Sequence, residues 1–258
     1  MCLALIAIDA HPSYAVVIAA NRDEHHARPA APAAWWNEGW IAGRDLSAGG
    51  TWLAVTRTGR FALVTNVREA GRRDVSAPSR GALVTRIVAD AATPAQSVAA
   101  IVAAAAAYNG FNLIAGDLAS ACWGSNRADG VRTLAVGIHG ISNAALDTPW
   151  PKVTRSKTAF AAWCTDSAND IETLFAILAD RMLAADPLLP ATGVSIKWER
   201  RLSAPFIVGA DVGYGTRCST IVTLGRDGRA RFVERSFDFA GDPTGDVDLG
   251  FALSADIR

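Results

Sequence analysis

The chain has 258 residues, half of them hydrophobic, and its 25 basic side chains balance 25 acidic ones. With no long basic patch, nucleic acid is excluded as the expected partner, and no apolar run reaches membrane-spanning length. The four cysteines, at 2, 122, 164 and 218, form no CxxC pair, which argues against structural zinc, covalently attached haem and a disulfide scaffold.

One large domain over residues 1–258 is the natural reading, and a cytoplasmic protein is the default. The start does not read as a signal peptide, because no basic residue precedes the apolar run and Asp9 interrupts it. No metal ligand set is recognised: His25-His26 is the only histidine pair, and adjacent positions suit one ion poorly. No cofactor motif is recognised either.

Residues 2–8 and 14–20 are apolar runs separated by turn chemistry at residues 9–13, so they predict a β-hairpin. Facing Ile8 with Tyr14 puts Cys2 opposite Ala20 and brings Asn21-Arg22-Asp23-Glu24 beside the chain terminus. Cysteine is small, so removal of Met1 is expected and would leave Cys2 with a free α-amino group. Such an amine titrates near about 8 and can serve as base for its own thiol. A neighbouring arginine favours the thiolate. The alternative is that Cys2 merely begins a buried strand.

Both runs are apolar on both faces, so the hairpin must be covered on both sides. Residues 25–50 read as irregular, and Trp35, Trp36 and Trp40 either line a pocket or plug the end of a sheet. Residues 51–56 and 61–66 predict a second hairpin; pairing Thr56 with Phe61 places Thr51 opposite Asn66. Helices are expected from about Arg80 to Asp90, capped by Ser79, and from Thr93-Pro94 to about Tyr108. Strands follow at 111–116, 119–124 and 131–136. Ser142-Asn143 ends an apolar run much as Thr65-Asn66 does, so two asparagines sit at strand ends, where the residue is otherwise disfavoured.

Trp150-Pro151-Lys152 opens a helix through about Trp163, and Ser167 or Asn169 begins another. Residues 183–204 read as a Pro-bearing connector with the character of a flexible lid. Residues 214–224 and 230–239 predict a third hairpin around Asp227-Gly228, and residues 241–258 a loosely packed tail. Strands in antiparallel groups, apolar on both sides, with helices in pairs, imply an α+β fold: a four-layer α-β-β-α sandwich of two antiparallel sheets.

These pieces resemble the NRDE family, also called the transport and Golgi organisation protein 2 family. The residues that carry the resemblance are Met1-Cys2, Asn21-Arg22-Asp23-Glu24, Arg28-Pro29, Gly43-Arg44-Asp45, Gly49-Gly50-Thr51-Trp52, Thr65-Asn66 and Ser79-Arg80-Gly81. They continue with Phe111-Asn112-Leu113, Ser142-Asn143, Trp150-Pro151-Lys152 and Tyr214-Gly215-Thr216-Arg217, in order along the chain.

The family is similar in fold to the cysteine branch of N-terminal-nucleophile hydrolases, which cleave non-peptide amide bonds. The resemblance implies Cys2 as nucleophile and α-amino base, Arg22 and Asp23 as orienting groups, and Asn143, with Asn66, as oxyanion donors. In those hydrolases two residues separate the arginine from the aspartate. Here they are adjacent and face opposite ways on extended chain, which makes Glu24 the alternative partner of Arg22.

Two function classes follow. One is an amidohydrolase acting on an N-acyl bond through Cys2. The other is a non-catalytic carrier of haem or an acyl thioester, in keeping with the links of eukaryotic members to Golgi organisation, lipid metabolism and haem trafficking. In the carrier, Trp35, Trp36, Trp40 and Trp52 would line the pocket, and Arg44, Arg68 or Arg217 would meet anionic groups. Glu24, Arg44, Trp52 and Arg217 are thus the candidate ligand-binding residues. A fold retained only as an interaction module is the third and blandest option.

Overall fold

The computed structural model describes residues 3–72, 74–166 and 170–254. Its first two strands explain why their sequence is apolar on both faces. In β1 (Leu3–Ile8) and β2 (Tyr14–His25), Ala4, Ile6, Ile8, Val16 and Ile18 point into a cluster between two sheets. Leu3, Leu5, Ala7, Val17 and Ala19 point the other way, under α3 (Pro151–Thr165) and α4 (Ile171–Leu178). Alternation of period two therefore serves two cores at once.

The first sheet has the order β10-β1-β2-β11-β12-β13, where β10 is Gly137–Ile141, β11 Tyr214–Gly225, β12 Arg229–Phe237 and β13 Pro243–Ala252. The second has the order β3-β4-β5-β6-β7-β8-β9. Its strands are β3 (Ala30–Trp35), β4 (Trp40–Asp45), β5 (Leu53–Thr56), β6 (Phe61–Asn66), β7 (Phe111–Gly116), β8 (Ala121–Ser125) and β9 (Val131–Thr133). All pairings among the described strands are antiparallel. The outer face of the second sheet is covered by α1 (Gly81–Ala89) and α2 (Pro94–Ala103) through Leu83, Val84, Ile87, Val98 and Ile101. The result is the expected four-layer α-β-β-α sandwich. No helix of the described residues is long and apolar enough to cross a membrane.

Several local expectations are corrected. The first hairpin pairs Ile8 with Val16 and Leu3 with Asn21, two residues from the expected register. Asp9 adopts φ 48° and its N–H donates to Ala15 O, which widens the turn. A shift of two keeps every side chain on its face. The second hairpin pairs Val55 with Phe61, one residue off, because Thr56 N–H closes the turn on Arg60 O.

Residues 25–50 are not irregular but hold β3 and β4, with Pro32 lying at a register break in the edge strand β3, where a missing N–H is tolerated. The tail beyond Gly241, expected to be loosely packed, supplies β13, which pairs with β12 from Arg229–Ala252 to Phe237–Pro243. Arg231 and Arg235 on β12 form ion pairs with Asp248 and Asp246 on β13, which the Gly/Pro/Asp composition concealed.

Thr93 caps α2 in a capping box with Gln96, as the sequence implies, but the helix ends at Ala103. Ser79 Oγ accepts from Gly81 N–H, the first of α1, at 3.4 Å, but the N-cap position falls at Arg80. Asp170 caps α4 by accepting from Glu172 N–H; Ser167 and Asn169, the expected start, lie outside the described residues. The connector at 183–204 contains α5 (Ile196–Arg201), whose Glu199 is buried and paired with Arg68, so it is anchored to the body rather than a detached lid.

Candidate functional site

The strand ends next to Leu3 define the site. Leu3 pairs with Asn21 on β2 and Ala4 with Ile141 on β10. Arg22 and Asn143, beyond those positions, therefore flank the point at which the chain before Leu3 attaches. Cys2 itself lies outside the described residues.

Asn143 is held from three sides. Its Oδ1 accepts from Arg68 Nη2 at 3.4 Å, its Nδ2 donates to Asn66 O at 3.0 Å, and its backbone O accepts from Arg68 N–H at 2.7 Å. Arg68 in turn donates to Glu199 Oε2 at 2.8 Å, and Glu199 Oε1 accepts from both the N–H and the hydroxyl of Thr192. One layer further in, Asn112 Nδ2 donates to Thr65 Oγ1 and Ala144 O, while its Oδ1 accepts from Trp123 Nε1. Thr65-Asn66 and Ser142-Asn143 are thereby drawn together by two buried amides, from sequence positions far apart.

Arg22 and Asp23 are split between two surroundings. Arg22, 5 % exposed, faces between the sheets and lies 4.4 Å from the Trp52 ring centroid. Asp23, 3 % exposed, accepts from Thr216 Oγ1 at 2.6 Å, and its other oxygen, Oδ2, has no hydrogen-bond partner among the described residues. The chain bend that would let both address one group is absent from β2. The register break is on the facing strand, where Arg217 is the extra residue between Thr216 and Cys218. Glu24 does not stand in for Asp23 beside Arg22; its Oε1 accepts from His25 N–H, and it lines the same polar cavity as Asp23.

That cavity, of about 220 Å³, is lined by Asp23, Glu24, Asn66, Glu69, Arg80 and Tyr214. A second, of about 200 Å³, lies between the sheets and is lined by Arg22, Trp52, Arg217, Cys218 and Glu234. Glu234 is fully enclosed and accepts from Ala33 N–H and Thr220 Oγ1; burial pushes its carboxyl above the usual range. Burial likewise raises the Cys218 thiol well above its ordinary value. Burial, and then the charge of Arg22, lowers Arg217. Arg217 Nη1 donates to the backbone oxygens of His25, His26 and Arg28.

Arg44 joins neither cavity: its guanidinium stacks 3.7 Å from the centroid of Trp36 on the helix-facing side of the second sheet. The tryptophans do not line one pocket. Trp36 and Trp40 pack on the helix side, Trp52 between the sheets, and Trp35 against Phe251 at the sandwich edge. Trp52 fits because Gly43 carries no side chain: a Cβ there would come within 2.2 Å of the indole. Gly50 similarly abuts the Gly81 backbone, so these motif glycines serve close packing. Arg28 Nη2 donates to Asp45 Oδ2 at 2.6 Å, joining Arg28-Pro29 to Gly43-Arg44-Asp45. Among the described residues no group of His, Cys, Asp or Glu could hold a metal ion.

Sequence reasoning gave no site role to Glu234, Cys218, Glu199 or Asn112. The signal for Glu234 was available: it follows Ala230 and Phe232 at inward-facing positions of a strand, where an acid is out of place. Glu199, on a six-residue helix, gave no such signal.

The family model described as Transport and Golgi organisation 2 matches residues 1–238. The Homo sapiens Transport and Golgi organization protein 2 homolog is 33 % identical over 257 residues, covering 92 % of this chain and 93 % of its own length. The Bos taurus homolog is 32 % identical over 268 residues, covering 95 % of each. In structure, a variant of the conjugated bile acid hydrolase from Clostridium perfringens aligns at TM-score 0.48 and 8 % identity, covering 100 % of this chain and 99 % of that one. The Caenorhabditis elegans ortholog of N-acylethanolamine-hydrolyzing acid amidase aligns at TM-score 0.42 and 10 % identity, over 86 % and 92 %. Match length and identity together place the chain in the Transport and Golgi organisation 2 family.

Proposed function

We propose that the protein is an N-terminal cysteine amidohydrolase that cleaves an N-acyl carbon–nitrogen bond through Cys2. With Met1 removed, the α-amino group takes the thiol proton and the sulfur attacks the acyl carbon. An N–H of Asn143 Nδ2 meets the oxyanion. The amine leaves with the proton from the α-ammonium. Water then cleaves the thioester and releases a carboxylic acid. Asp23, whose Oδ2 has no partner among the described residues, receives the α-ammonium from one face of β2, and Arg22 supports the thiolate from the other.

The observation that carries this reading is the fixed amide of Asn143. Its oxygen is turned to Arg68, and its nitrogen lies at the strand end flanking the attachment point of Leu3. A surface asparagine would not need a buried arginine–glutamate pair behind it. The tryptophans, divided between the two faces of a sheet, lend no support to a single carrier pocket.

The test is amine release from a panel of N-acyl amides. Asn143→Ala should lower kcat by about 10²–10³ with little change in KM, and Cys2→Ala should abolish turnover. Amine release undiminished in both variants, or none from any amide in the panel, would count against the proposal.

A further inference from the structure

The cavity between the sheets is bordered by donors that meet no acceptor among the described residues. Arg22 Nη1, Trp52 Nε1 and Arg217 Nε are all enclosed, all without a hydrogen-bond partner among the described residues, and all on side chains that line the same space of about 200 Å³. Arg22 and Trp52 are each 5 % exposed. Enclosed N–H groups without partners are costly, and an enclosed cation without a counter-charge more so.

The acids nearby do not answer the charge. Glu234 lines the cavity and acts on Arg22 through its charge, but its Oε1 and Oε2 accept from Ala33 N–H and Thr220 Oγ1 and from neither guanidinium. Glu24 acts on Arg217 from a half-buried position and lines the neighbouring cavity. Two guanidinium groups thus border a small space with apolar walls at Ala30, Pro32 and Phe237.

We propose that this cavity is a binding site for a short-chain carboxylate, whose oxygens accept from Arg22, Trp52 and Arg217 while its alkyl stem lies against the alanine, proline and phenylalanine walls. The planar guanidinium matches a carboxylate, and the site is smaller than the usual drug-sized pocket, which limits the stem to a short chain. The indole N–H adds a fixed direction that a lysine-lined patch would lack. This deepens the hydrolase reading in one respect, since a carboxylic acid is what amide hydrolysis releases, but Trp52 and Arg217 line the cavity whatever Cys2 does.

Calorimetric titration of the full chain with sodium butyrate, with butyramide as the neutral control, tests it. Saturable binding of butyrate and none of butyramide is expected. Trp52→Phe, which keeps a ring but removes the N–H, should weaken butyrate about tenfold, and Arg22→Met should weaken it by more, charge-assisted bonds being the stronger class. Should Arg22→Met fail to fold, Trp52→Phe alone decides. Absence of butyrate binding, equal binding of butyramide, or an unchanged affinity in Trp52→Phe would overturn the proposal. The same titration in Cys2→Ala separates the two readings. Binding kept there while wild type releases no amine removes the hydrolase and leaves the cavity. Turnover without butyrate binding does the reverse.

Discussion

Glu199 and Arg68 show how much a single enclosed charge can decide. Their side chains are 3 % and 8 % exposed, and the pair stands behind Asn143. Removing one partner strands the other, so Arg68→Met should cost about 3–5 kcal/mol of stability, read from urea unfolding. It should also speed hydrogen exchange at the Thr192 amide, which donates to Glu199. A loss under 1 kcal/mol would mean that the pair behaves as a surface contact.

Glu234 makes a pH-dependent case. Burial raises its folded-state pKa above the unfolded value, so its contribution is fully present below the unfolded pKa of about 4.3 and is lost as pH rises through the folded value. Glu234→Gln mimics the protonated acid. The stability of this variant relative to wild type should therefore increase as pH rises from about 4 to neutrality in paired urea titrations, and a flat difference would contradict the assignment.

At the scale of elements, legibility followed the hydrophobic pattern. The doubly apolar runs at 2–8 and 14–20 demanded cover on two sides, and β1 and β2 have it. Register was less legible, because turn geometry sets it: Asp9 at positive φ moved one hairpin by two residues, and Thr56 closing on Arg60 moved the other by one. The strands β3 and β4 were hidden because alanines, a proline and clustered tryptophans give little period-two contrast. The motif glycines could be recognised but not explained until their neighbours were known. Gly43→Ala would drive a methyl group into the Trp52 indole. Overpacking of this kind costs about 1–3 kcal/mol, so a lower denaturation midpoint and a changed near-ultraviolet tryptophan signal are expected. An unchanged midpoint would show that Trp52 has room to move.

For the molecule as a whole, the family motifs explain one another once folded. Arg28 meets Asp45, Gly50 meets Gly81, Arg22 meets Trp52, Asp23 meets Thr216, and Asn66 meets Asn143. The sequence supplied the list of residues and the four-layer arrangement. Adjacency on an extended strand already set Arg22 and Asp23 facing opposite ways; what the sequence did not supply is the extra residue Arg217 in β11, nearly two hundred positions away, which lines the cavity beside Arg22. Nor did it show that Arg44 stands apart on the outer face of the second sheet.

The three described cysteines are buried, and burial raises their thiols, to about 11 for Cys122 and Cys164 and well above the ordinary value for Cys218. Each should react slowly with an alkylating agent near neutral pH. The most direct measurement is therefore a peptide-resolved time course of iodoacetamide labelling by mass spectrometry on the untagged protein. The expected result is an amino-terminal peptide that begins at Cys2 and is carbamidomethylated well before the other three thiols. An amino-terminal peptide that keeps Met1, with all four cysteines labelled at similar slow rates, would contradict a cysteine nucleophile at this site.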